Sequence, residues 1–133
     1  MSVEVEYLDL DRFLQIAEHV TGISRKALLS LPRLGLAESA LHSPAAGFGD
    51  HEECPAFEMK VAVLLHHLAK NHPLPDGNKR CAHACAELFA LINGRSWTPG
   101  PIDDDERFVR GVAAGDIDLP EIEVWVRERI GPV

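Results

Sequence analysis

Two long stretches carry a helical rhythm. Between Ala56 and Lys70, the residues Phe57, Val61, Leu64, Leu65 and Leu68 fall at i, i+4, i+7, i+8 and i+11, one face of a helix. Met59, Ala62 and Val63 are apolar on the other side, so this helix is predicted to be buried nearly all round. His66 and His67 lie about 100° apart on it, too divergent to share a ligand, and read as structural histidines. Between Asn78 and Ile92, a second stripe comprises Ala82, Cys85, Ala86, Phe89 and Ile92, widened by Leu88 and Cys81. Arg80, His83 and Glu87 form a polar line on the same helix at i, i+3 and i+7.

The other elements are shorter. Val3 to Tyr7 alternates and reads as a short strand or an extended lead-in. Asp9 or Asp11 is placed to cap a helix from Arg12 to Val20, with Phe13, Ile16, Ala17 and Val20 on one face and Thr21-Gly22 as its end. Ser24 opens a short helix to Leu31, stopped by Pro32; Leu34 to Leu41 is another, closed by Ser43-Pro44. Ala45 to His51 is too glycine-rich to be regular and reads as a surface loop anchored by Phe48. Pro99, Pro101 and Pro120 break up the C-terminal region. There, Asp103 to Glu106 begins a helix to Ala114 with its acids solvated, and Glu121 to Ile130 forms a last helix bearing Ile122, Trp125, Val126 and Ile130. No strand rhythm after Tyr7 is long enough for a sheet. The prediction is an all-α domain spanning residues 1–133, with the two long helices as its central hairpin.

Composition adds a constraint. With 133 residues, 46% hydrophobic and 26% charged, the chain can bury one core. Its net charge of −8 opposes direct binding to nucleic acid or to an anionic membrane. Locally the sign reverses: from Lys60 to Arg95, five basic residues face two acids, so a stretch of +3 sits in surroundings of −11. That contrast suits a small anionic ligand. The cysteines, Cys54, Cys81 and Cys85, form no even set, which points to a reducing cytoplasm. His83 lies about 200° around a helix from Cys81, so buried thiols are expected there rather than a Cys-His-Cys metal site. The acidic start MSVEVEYLDLD does not read as a signal peptide, and the apolar run Val61 to Leu65 is too short to span a membrane.

The candidate chemistry lies between the two long helices, in Asn71 to Arg80, NHPLPDGNKR. Pro73 and Pro75 cannot continue a helix ladder, Asp76-Gly77 is a turn pair, and Asn78-Lys79-Arg80 opens the next helix. The free N–H groups of that helix start, its dipole, a lysine and an arginine converge as they would on a phosphate. His72 stands ahead of them as a base, and Asp76 as a hard oxygen ligand suited to Mg²⁺. The plain alternative is that His72, Asp76 and Asn78 cap helices while Lys79 and Arg80 are solvated.

The run H-P-L-P-D-G-N-K-R, His72 to Arg80, resembles the Fic/Doc family signature H-P-F-x-D/E-G-N-G/K-R. Glu38 to Asp50 resembles the upstream segment those proteins carry, which ends in a glycine-rich flap, and the likeness runs from about Tyr7 to Gly94. Lys79 after the asparagine resembles the Doc (death-on-curing) branch, the toxins of toxin–antitoxin pairs. The resemblance implies that His72 is the base, Asp76 holds Mg²⁺, and Gly77, Asn78, Lys79, Arg80 and His83 contact the nucleotide. Gly47, Phe48 and Gly49 become the flap that holds the target.

Most Fic enzymes transfer AMP from ATP, using a glycine where this chain has Lys79 and a second arginine where it has His83. Both departures favour the Doc outcome, in which the γ-phosphate passes to a protein hydroxyl, the family's target being a threonine of translation elongation factor Tu. AMP transfer, and an inactive subunit of the same fold that only binds a partner, stand as alternatives. Leu74 replaces the usual Phe as apolar anchor. The family's internal inhibitory pattern, S/T-x-x-x-E-G/N, is not matched, since Tyr7 follows Ser2-x-x-x-Glu6. A separate antitoxin, folding a helical tail into an apolar groove, is therefore the expected partner.

Overall fold

A computed structural model describes residues 4–46 and 56–132. The flap residues Gly47, Phe48 and Gly49, together with Val3 and Cys54, lie outside the described residues. Among the described residues, seven helices follow in order: α1 (Leu10–Thr21), α2 (Arg25–Leu28), α3 (Leu34–His42), α4 (Phe57–Asn71), α5 (Asn78–Ile92), α6 (Ile102–Ala114) and α7 (Leu119–Arg129). The architecture is all-α.

The predicted hairpin is its centre. Along α4, Val61 to Leu65, Leu68 and Ala69 are buried in one unbroken sweep, so α4 packs against α5, α7, α3 and α6. Cys81, Ala82, Cys85, Ala86, Phe89 and Ala90 of α5 face it. The thiols are ordinary core groups: the hydrogen bond with Cys81 and burial push the Cys85 thiol well up. Burial lowers His66 and His67 from the usual histidine range, with neighbouring positive charge adding to it, and both stay neutral.

Local chemistry sets the ends. The Asp9 carboxylate, not that of Asp11, caps α1 by accepting the Arg12 N–H at 2.9 Å. Residues 4–9 form no strand. They are an extended lead-in held by Asn93, whose side chain accepts the Glu6 N–H at 2.8 Å and donates to the Glu6 carbonyl at 2.8 Å. The helix α2 ends at Leu28, short of Leu31, and turn bonds carry the chain onward. At α7 the expectation fails instructively. Pro120 does not precede the helix but sits in its first turn, where its missing N–H has no ladder partner to lose. Asp118 and Glu121 close a capping box there, and Ile130 lies beyond the helix, bridged to Trp97.

The acids at the start of α6 also differ from expectation. Asp103 and Asp104 are exposed, but Asp105 is buried. It pairs with Arg129 of α7 and accepts the Gly100 N–H at 3.0 Å. That ion pair fixes α6 to α7. Among the described residues, no helix is long and apolar enough to cross a membrane.

Candidate active site

The loop between α4 and α5 is built by four local constraints. At the end of α4, His72 takes left-handed backbone angles, φ 47° and ψ 58°, the only non-glycine residue with positive φ among those described. This conformation costs an L-residue about 1–2 kcal/mol. Pro73 and Leu74 then turn inward and are buried. Burying a leucine returns about 1.5–3 kcal/mol, enough to offset the strain. The Asn78 side chain staples the turn: its Oδ1 accepts the Leu74 N–H at 2.9 Å and its Nδ2 donates to the Leu74 carbonyl at 2.8 Å. Finally Gly77, at φ 75°, serves as the N-cap of α5 with no side chain to cover the helix end. A Cβ there would sit 3.1 Å from Val20 Cγ1.

The first ladder bond of α5 is donated by the Cys81 N–H to the Gly77 carbonyl, at 2.9 Å. The N–H groups of Asn78, Lys79 and Arg80 precede it and are open to a ligand. Asn78 can therefore offer a phosphate its backbone, while its side-chain amide is already occupied.

A cavity of about 220 Å³ opens over this helix start. Asp76 to Arg80 form one wall, and His83 stands one turn further along α5. The opposite wall is α6, through Glu106, Val109 and Arg110. Lys79, Arg80 and Arg110 make no ion pair among the described residues, nor do Asp76 and Glu106. Three cations without an ion-pair partner among the described residues, against two carboxylates, leave the cavity with a net positive charge.

His83 is less suited to that task. Its ring lies 5.5 Å from Trp125 and 6.2 Å from Trp97, centre to centre. Burial pushes its imidazole down, and the nearby Asp105 and Glu87 offset this only in part, so it is neutral at neutral pH. His72 does not line the cavity; it stands exposed on the adjoining loop.

The structure thus brings Asp76, Gly77, Asn78, Lys79, Arg80 and His83 together, with His72 beside them. It also redistributes the positive stretch read from the sequence. Lys60 donates to the Tyr7 hydroxyl at 2.8 Å near the start of α4, and Arg95 pairs with Glu58 at 3.2 Å. Neither lines the cavity. The charge they were expected to provide comes from Arg110, which sequence reading missed. Glu106, Val109 and Arg110 follow i, i+3 and i+4, a single helix face, and that periodicity was the available signal.

A model of the Fic/DOC family matches residues 7–90, which ends before α6. Toxin Doc of Mycolicibacterium smegmatis is 36% identical over 118 residues, covering 88% of this chain and 88% of that protein.

Proposed function

This chain belongs to the Fic/DOC family, and on that premise we propose that it is a Doc-type toxin, a kinase that moves the γ-phosphate of ATP to a hydroxyl of a protein target. Translation elongation factor Tu is the expected target, and an antitoxin the expected neutralising partner. The observation that carries the reading is Lys79: its side chain lines the cavity at the open start of α5, beside Arg80 and opposite Arg110.

In this reading His72 accepts the proton of the target hydroxyl as its oxygen attacks the γ-phosphorus. The new O–P bond forms as the bond from phosphorus to the β–γ bridging oxygen breaks, and ADP leaves. Lys79, Arg80, Arg110 and the N–H groups of α5 stabilise the charge on the transferring group. The exposed position of His72, outside the cavity wall, suits a base that must meet a hydroxyl arriving from another protein.

Magnesium fits the residues present. Its usual set is one or two carboxylates completed by phosphate oxygens and water, and Asp76 and Glu106 line the same cavity with no ion pair among the described residues. Asp76 would hold the ion, which supplies charge neutralisation on the phosphates.

Arg110 also favours a second reading. It brings to the cavity a guanidinium that the His83 position does not provide, and an arginine pair suits AMP transfer. Incubating the protein and purified target with ATP labelled at either the α- or the γ-phosphorus separates the two. We expect γ-label on the target; α-label on the target would overturn the kinase reading. His72→Ala should reduce transfer by roughly 10²–10⁴-fold while ATP binding and fold persist. Expression without an antitoxin should arrest bacterial growth, and the His72→Ala strain at matched protein level should grow. Full transfer by that variant would leave His72 as a helix cap only.

A further inference from the structure

His72 is held in place by a residue from a distant part of the chain. The left-handed cap at the end of α4 would ordinarily be closed by backbone N–H groups of the residues that follow. Here the next residue is Pro73, which has no N–H, and a residue before proline is itself disfavoured in helical backbone. The carbonyls at the end of α4 therefore need another donor. Arg33, just ahead of α3, supplies it: its Nε donates to the His72 carbonyl at 3.0 Å and its Nη2 to the Asn71 carbonyl at 2.8 Å. A second stitch runs the other way, with Asn71 Nδ2 donating to the Leu36 carbonyl of α3 at 3.2 Å.

We propose that Arg33 is a positioning residue for His72, its guanidinium fork holding the strained backbone from which the imidazole projects. The inference rests on His72 being the base. A fork spanning two successive carbonyls fixes both the position and the direction of the peptide between them, which a single-point donor cannot do. Because Arg33 is exposed and contributes nothing to the core, its loss should loosen the loop while leaving the helices packed. The Asn78 staple holds Leu74 and the Asn71 stitch holds the residue before His72, so the loss of Arg33 removes the side-chain donor on the His72 carbonyl itself.

The test uses the full chain carrying Arg33→Gln or Arg33→Lys, with kcat and KM for ATP measured in transfer to the purified target. Arg33→Gln should lower kcat by roughly tenfold or more, with KM for ATP within about twofold of wild type, because the phosphate corner is built separately. Arg33→Lys should recover part of the loss, since an ammonium can reach one of the two carbonyls. A purely structural role would lower the melting temperature and leave kcat intact below it; that result, or an unchanged kcat, overturns the proposal. A second arm needs no substrate. The ¹³Cα and ¹³Cβ resonances of His72 report its backbone region, and they should shift in Arg33→Gln. If they stay put, the clamp is overturned whatever the activity. If they shift while the wild type transfers neither label, the clamp stands and the assignment of the catalytic reaction fails.

Discussion

In the proposed mechanism, Lys79 and Arg110 would divide the work of holding phosphate between them. Lys79 is a point charge at the tip of a helix start, so it suits a group in motion; Arg110 offers a planar fork from a second helix, so it suits a group at rest. Lys79→Gly should therefore lose γ-phosphoryl transfer through kcat, whereas Arg110→Ala should act mainly by raising KM for ATP, by about tenfold. Steady-state kinetics on both variants check the split. Unchanged γ-phosphoryl transfer in Lys79→Gly would remove the ground for the kinase reading. An arginine at position 83 would have to share its place with the rings of Trp97 and Trp125, which pack against His83. Gly77 has a narrower tolerance still. Alanine there would meet both the positive φ and Val20, and should destabilise the protein by about 1–2 kcal/mol, read from the urea midpoint.

Among the helices, α6 carries one buried ion pair besides its apolar packing on α4 and α5. Asp105 is 3% exposed and Arg129 lies over the Trp125 ring at 4.1 Å while pairing with it. Removing one partner leaves the other charge buried, so Arg129→Ala should cost about 3–5 kcal/mol and loosen the α6 wall of the cavity. Thermal unfolding and ATP titration should report both effects; a variant with wild-type stability would show the pair to be dispensable. This contact also explains what the sequence could and could not disclose. The long α4 and α5 were legible because their stripes are set by local spacing, and the motif between them because each turn residue has its own signature. Asp105 was read as solvated because its partner lies 24 residues away on another helix. Pro120 was read as a breaker because a proline's meaning depends on whether it falls before a helix or inside its first turn. Arg33 was silent for the same reason as Asp105: nothing near it in sequence marks a contact 39 residues distant.

Across the fold, three histidines should contribute to the response to acid. Burial lowers His66, His67 and His83 below the ordinary range, so each is neutral in the folded state where the unfolded chain begins to protonate. The unfolded state then binds more protons, and stability falls as pH drops below about 6.5, the unperturbed histidine value, until the folded-state values are passed. Urea unfolding at pH 7.5 and pH 5.0 should give a lower midpoint at the acid value, and His66→Gln or His83→Gln should flatten the difference. Equal midpoints would mean that the burial of these rings carries no proton linkage.

The α6 wall also bears on how far a motif can be read. The family model stops at residue 90, yet the opposite cavity wall is Glu106, Val109 and Arg110, and α6 is moored to α7 by the Asp105–Arg129 pair and by Phe108 stacked on Trp125. The motif and the wall that sizes the cavity opposite it therefore lie on different parts of the chain. A substitution on α6 can reshape that cavity while every letter from His72 to Arg80 stays the same. Two proteins with identical motifs need not share a substrate, and the place to look for their divergence is the segment that follows the motif helix.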